Sequence, residues 1–244
     1  MLKYRFLSGN ALKILAAVCM VVDHVGLMFF PAVTAFRIIG RLAFPIFAFF
    51  ISEGARYTKN KLRYFLTMFL LGFICQVVYF FFDNGSLYMC ILITFSLSVA
   101  MIYALNWFKK CLFSADVSPL MKLLSGAVFV GSIIGVYILN RVLTIDYGFL
   151  GCMAPVFASL FDMRGIEVSD SIKRLDRIEV RILMLGVGLL LLSLNKGYQI
   201  YSLLALIPLL LYSGERGKFK MKYFFYIFYP LHLVLLEGIY ILTR

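Results

Sequence analysis

Acidic side chains are scarce in this sequence: 12 Asp+Glu stand against 24 Lys+Arg, and charged residues of either sign make up only 15% of 244 positions. Hydrophobic residues make up 63%, and the mean hydropathy is +0.94. A single soluble core of this length cannot hide that much apolar surface, so lipid is the expected solvent. A formal charge of +12 would suggest nucleic acid in a soluble protein. No nucleic-acid motif accompanies it, and the basic residues cluster between apolar runs as the positive-inside rule requires. There is no C-x-x-C pair; Cys19, Cys75, Cys90, Cys111 and Cys152 are scattered, mostly within apolar runs, and read as small core residues. No metal site is expected from them. The basic start Met1-Leu2-Lys3-Tyr4-Arg5 resembles a signal peptide, but no small-residue cleavage site follows and the apolar stretch contains Asp23 and His24. An uncleaved first span is therefore expected.

Apolar runs of membrane-crossing length or somewhat less fall at residues 12–30, 37–55, 64–82, 87–108, 120–139, 148–161, 182–194, 199–212 and 223–242. They predict an all-α, polytopic integral membrane bundle of about nine transmembrane helices, with residues 1–244 forming one domain. The sixth to eighth runs are short and the Asn195-Lys196-Gly197 turn is tight, so one of these segments is expected to be tilted or only partly inserted. With the N-terminus in the cytoplasm and the sides alternating, every Lys and Arg except Arg37, Arg41, Arg141, Lys196 and Arg244 falls on the inner side. The longest polar stretch, 162–181, reads as an exposed cytoplasmic loop with a short surface helix. There is no internal repeat, low-complexity segment or Pro/Gly-rich linker, and no pair of interrupted helices of the inverted-repeat transporter kind.

An ionisable side chain at bilayer depth is costly unless paired or hydrated, so each one is a functional candidate. Lys13, Asp23 and His24 belong to the first span, Arg37, Arg41 and Glu53 to the second, His232 and Glu237 to the last. Lys13 and His24 are eleven residues apart, which returns to within about 20° of one helix face over a rise of about 16 Å. Lys13 then stands at the inner mouth and His24 near mid-membrane, a geometry suited to an anionic cofactor held at one end and chemistry at the other. Asp23 points about 100° away, and its natural partner is an arginine. Arg37 and Arg41 share a face at i and i+4, Gly40 permits close helix approach, and Pro45 is placed to kink the chain. An Asp23–Arg41 pair that locks two helices together is the plain structural reading, and such a lock also supports a site. His232, following Pro230, lies about 15 Å into the last span counted from Lys222. Two mid-membrane histidines on the first and last helices point to a shared site. The 25 Phe and 15 Tyr are read as packing and interfacial anchors, and Asp146-Tyr147-Gly148 as a helix start.

Several strings resemble the TraX family, membrane proteins related to conjugal-transfer pilin acetylases. They are Ser8-Gly9-Asn10-Ala11-Leu12-Lys13, Asp23-His24-Val25-Gly26, the run from Arg37 through Gly40-Arg41-Leu42-Ala43-Phe44-Pro45 to Glu53-Gly54, Asp146-Tyr147-Gly148, and Tyr229-Pro230-Leu231-His232-Leu233. The resemblance covers the whole chain. Lys13, ten residues and His24 are also similar to the basic-x10-His signature of the wider transmembrane acyltransferases. The resemblance implies transfer of an acetyl group from cytoplasmic acetyl-CoA to an amine or hydroxyl acceptor, a pilin N-terminus or a cell-surface glycan. It implies His24 as general base, or as transient acyl carrier, Asp23, Arg41 and His232 as its catalytic companions, and Lys13, Arg37, Glu53, Arg56 and Lys59, with Lys61 and Arg63 nearby, around the donor. The expected setting is the cell membrane, with bilayer, acetyl-CoA and acceptor as partners and no nucleic acid; nothing in the sequence bears on oligomeric state. The alternative is a small proton-coupled transporter in which Asp23, His24, Glu53 and Glu237 relay protons. A membrane scaffold would seldom retain this many intramembrane charges.

Overall fold

The computed structural model describes residues 4–82, 88–194, 197–219 and 221–243. Helices form nearly all of it: α1 (Gly9–Phe29), α2 (Thr34–Gly40), α3 (Ala43–Tyr57), α4 (Lys61–Phe82), α5 (Ile91–Phe113), α6 (Pro119–Val142), α7 (Gly148–Ala158), α8 (Asp170–Lys173), α9 (Ile178–Ser193), a 3-10 helix (Gly197–Ala205), α10 (Leu206–Leu210) and α11 (Lys222–Leu242). No strand forms among the described residues beyond two isolated bridges, Leu7 with Tyr212 and Met89 with Ile145. Five segments among them are long and apolar enough to cross a membrane: α1, α2 with α3, α5, α6 and most of α11. At 22 residues α4 has the length as well. By contrast α7, with 11 residues, rises only about 16 Å, roughly half the apolar thickness of a bilayer. The 16-residue α9 and the 14 residues of the 3-10 helix and α10 are also short. Each apolar run of the sequence thus has its helix, and the three short ones fall where short spans were expected. Leu87, which opens the fourth run, and Asn195 and Lys196 of the tight turn lie outside the described residues, as do Lys3, Lys220 and Arg244 of the charge pattern.

The chain divides into two compact units, 1–50 with 189–244 and 51–188. In the first, α1 begins at Ser8, whose hydroxyl accepts from Ala11 N–H at 3.3 Å. Two amides of its first turn, otherwise orphaned, donate to Glu215 O and Arg216 O at 2.8 and 2.9 Å, and Asn10 Nδ2 donates to Phe219 O at 2.7 Å. The loop follows this path because Gly217 takes φ +98°, where a Cβ would also press on Ser8 and Asn10. From Phe29 the chain doubles back, and α1 meets α2 through two glycines. A Cβ on Gly26 would lie 2.2 Å from that of Phe36, and one on Gly40 would lie 2.1 Å from Asp23 Oδ1. The second span is broken rather than bent. Pro45 has no N–H to give the Arg41 carbonyl, and the backbone tightens there, Arg41 N–H donating to Arg37 O and Ile38 O at 3.2 Å and Leu42 N–H to Ile39 O at 3.1 Å. Cys19, Met20 and Ala43 pack against Phe228 and Tyr229 of α11, and Phe29 meets Tyr240 edge-on at 5.6 Å. Low numbers meet low and high meet high, so α1 and α11 run parallel, as first and last spans do when the crossings are odd in number.

In the second unit α5 is the buried helix, with Phe95, Val99, Met101, Ile102 and Leu105 at its core. Ser98 Oγ donates to Cys152 O and Thr94 Oγ to Asp146 O, both at 2.8 Å, tying α5 to α7 and to the turn that starts it. That turn is Asp146-Tyr147-Gly148, with Tyr147 and Gly148 both left-handed at φ +58° and +64°. In contrast α6 turns Leu120, Leu123, Val130, Ile134 and Ile138 outward. An apolar face of that extent is at home against lipid.

Candidate functional site

Among the described residues each unit holds a cluster of buried and half-buried polar side chains. In the first unit α1 supplies Asp23 and His24, α2 supplies Arg37, the break after α2 supplies Arg41, the 3-10 helix supplies Gln199 and Ser202, and α11 supplies His232. Arg41 Nη2 lies 3.2 Å from both Asp23 oxygens, and Arg37 Nη1 lies 3.0 Å from Oδ2. One carboxylate against two guanidinium groups leaves a net positive charge. Arg41 Nη1 also donates to Gln199 Oε1 at 3.2 Å. The contact of Gly40 with Asp23 explains why this ion pair sits so near the break: without a Cβ at residue 40, α2 can approach the carboxylate closely enough for both arginines to reach it.

The two histidines stand side by side, ring centroids 5.3 Å apart and planes 80° apart. His24 Nδ1 lies 2.8 Å from Met20 O and His232 Nδ1 lies 3.0 Å from Phe228 O, each one turn back on its own helix. A carbonyl only accepts, so Nδ1 carries a proton in both rings, and in its neutral form each imidazole presents a bare Nε2. His232 is 5% exposed, stacked on Phe228 at 5.0 Å and edge-on to Tyr229 at 5.6 Å. Its Nε2 is buried without a hydrogen-bond partner among the described residues. His24 is half-buried and therefore the more reachable base. Lys13, on the His24 face of α1, is half-buried with its ammonium 4.8 Å from the centroid of Phe50.

In the second unit Glu53 pairs with Arg181, whose Nη2 donates to Ser52 Oγ at 2.9 Å and whose Nε donates to Ala158 O at 3.2 Å. Arg56 is held by two carboxylates, Asp162 at 2.7 Å and Asp176 at 2.5 and 3.1 Å. Lys109 donates to Ser159 O at 2.9 Å and Asp162 O at 2.7 Å, where the carbonyls at the end of α7 want positive charge. Arg56, Lys109 and Arg181 balance Glu53, Asp162 and Asp176. The stretch that reads as a solvated loop is therefore anchored at both ends, with Asp162 and Arg181 buried.

Of the residues singled out in the sequence, Asp23, His24, Arg37, Arg41 and His232 thus gather in the first unit, with Lys13 further down α1. Glu53 and Arg56 belong to the balanced network of the second, and Lys59 is exposed in the bend after α3. Gln199 and Ser202 were not anticipated. Their signal is two polar residues three apart at the head of an apolar run.

Helices of membrane-crossing length enclosing an imidazole pair and an Arg–Asp–Arg cluster define a polytopic membrane protein with an intramembrane polar site. The chain belongs to the TraX family, whose profile, described as TraX protein, matches residues 8–240. It is 24% identical, over an alignment covering 94% of each chain, to the "Probable fimbrial assembly protein FimC, serogroup H1" of Dichelobacter nodosus. It is 41% identical over 68 residues, 28% of this chain and 25% of the relative, to the uncharacterized protein RP591 of Rickettsia prowazekii (strain Madrid E). No solved structure matches it.

Proposed function

We propose that the protein is a membrane-embedded acetyltransferase of the cell membrane, its N-terminus cytoplasmic, moving an acetyl group from cytoplasmic acetyl-CoA to an amine or hydroxyl acceptor. The observation that carries this reading is the histidine pair. Both Nδ1 protons are spoken for by backbone carbonyls, leaving two Nε2 lone pairs in one intramembrane site, the form a general base takes near neutral pH. His24 Nε2 accepts the proton of the acceptor N–H or O–H as that atom bonds to the acetyl carbonyl carbon. The C–S bond of the thioester breaks, and His24 returns the proton to the departing sulfur, ending neutral. Arg41 and Arg37 place positive charge where the carbonyl oxygen becomes negative, and Asp23 holds both in position. His232 accepts from the acceptor and orients it.

Lys13, about 16 Å along α1 from His24, meets the phosphates of the donor at the cytoplasmic mouth. The exposed Lys59, Lys61 and Arg63 raise the concentration of anions at that membrane face. Glu53 and Arg56 act through the network that fixes the 162–181 segment. A pilin N-terminus as acceptor is favoured by the full-length similarity to a protein named for fimbrial assembly; a glycan amine or hydroxyl fits the same chemistry. Both Asp23 oxygens being engaged by guanidinium groups favours a fixed electrostatic role for Asp23 over proton relay.

The purified protein in nanodiscs, given acetyl-CoA with a peptide bearing a free N-terminus or with an amino sugar, should release free CoA in step with acetylated product. Failure to bind acetyl-CoA in calorimetry, together with no CoA release for any acceptor, would contradict the proposal.

A further inference from the structure

A 3-10 helix has three residues per turn, so side chains three apart eclipse. In Gly197–Ala205 the eclipsed set Gln199, Ser202 and Ala205 is the set that is buried. Gln199 is 4% exposed and Ser202 fully buried. Gln199 Oε1 accepts from Arg41 Nη1 at 3.2 Å. A guanidinium offers only donors, so the orientation of the amide is forced, and Nε2 is left to donate elsewhere. Neither Gln199 Nε2 nor Ser202 Oγ has a hydrogen-bond partner among the described residues. Native proteins pair nearly all their buried polar groups. Two such groups on one face, beside the Arg41–Asp23 pair, mark a place built for a ligand atom.

The donor inventory names the chemistry of that atom. Gln199 Nε2 only donates, the Ser202 hydroxyl can donate, and Arg41 polarises the amide through its oxygen. Their complement is an oxygen acceptor able to take on negative charge. We propose that Gln199 and Ser202 form a carbonyl-binding subsite that takes either the thioester C=O of the acyl donor or an amide C=O of the acceptor; this rests on the acetyl-transfer reading. At the thioester, the Gln199 N–H bond strengthens as the carbonyl oxygen gains charge. At the acceptor, the same bond sets the distance of the attacking amine.

Gln199→Glu and Ser202→Ala test the subsite together. The first is isosteric and keeps an oxygen toward Arg41 while removing both N–H donors. The new carboxylate also offsets the charge of Arg41, so the loss of an N–H donor is separated from the loss of charge by Ser202→Ala, which leaves Arg41 untouched. Steady-state kinetics of wild type and variant in nanodiscs, with acetyl-CoA and a peptide acceptor varied in turn, should show kcat/KM falling by about 100-fold at unchanged melting temperature. A fall in kcat assigns the thioester carbonyl, where the bond strengthens in the transition state, and a raised KM for the peptide at unchanged kcat assigns the acceptor amide. Ser202→Ala should lower kcat/KM by a smaller factor, about 10-fold, and carries the test alone where Gln199→Glu does not fold. An active wild type with either Ser202→Ala or Gln199→Glu equally active toward both substrates overturns the subsite. A wild type with no transfer at all contradicts the acetyltransferase reading itself.

Discussion

The chemistry of this site rests on which nitrogen of each histidine carries the proton. Met20 O and Phe228 O take the Nδ1 protons of His24 and His232, so neither ring needs a neighbouring acid to set its tautomer. Asp23 is thereby left to the arginines. Asp23→Asn strips the charge from a half-buried pair of guanidinium groups, and the melting curve in detergent should show a loss of about 1–3 kcal/mol, less than for a fully dry pair because Arg37 remains partly exposed. Wild-type stability would mean the pair is solvated. His232→Gln should lower kcat by about 10-fold to 100-fold, toward the lower end of general acid–base effects, with acetyl-CoA binding retained in calorimetry. An unchanged kcat would remove His232 from the site.

At the scale of elements, small residues decide how closely helices approach. Gly40→Ala puts a Cβ where Asp23 now sits, so α2 must retreat from α1 and carry Arg37 and Arg41 with it. Gly131 and Gly135 of α6 have nothing within 4 Å of their would-be Cβ, and alanine there should stabilise by up to about 1 kcal/mol through helix propensity. Thermal unfolding of the three variants side by side should show a sharp loss for the first alone. In the second unit, Arg181→Met leaves Glu53 buried beside Ser52 without its cation and should cost about 3–5 kcal/mol, with Glu53→Gln/Arg181→Met recovering much of it in the same assay. The Asp23–Arg41 pair was legible from sequence because a carboxylate in an apolar span has few partners to choose from. The break at Arg41 was half legible, since Pro45 announces a distortion without saying that the helix restarts at Ala43. The anchoring of 162–181 was not legible: a charge-rich stretch reads as solvated unless its partners, Glu53 and Arg56, are known to point toward it. Gln199 and Ser202 escaped for a different reason. A period of 3.6 puts residues three apart about 60° from one another, and only the tighter 3-10 winding aligns them.

At the scale of the molecule, apolar length and charge bias carried the membrane assignment, and five helical segments among the described residues are long and apolar enough to bear it out. The division of basic residues between sides makes a prediction of its own. Cysteine introduced at Asn60, in the bend before α4, should resist a membrane-impermeant maleimide in intact cells and react once they are permeabilised; labelling from outside would invert the topology. The proposal that ties charge, helices and imidazoles together is that His24 moves the proton in acetyl transfer. It is tested most directly by following isotopically labelled acetyl from acetyl-CoA into product with wild type and His24→Ala, both purified intact and matched in melting temperature. The expected result is transfer by the wild type and none above background by the variant; equal turnover by the two would contradict it.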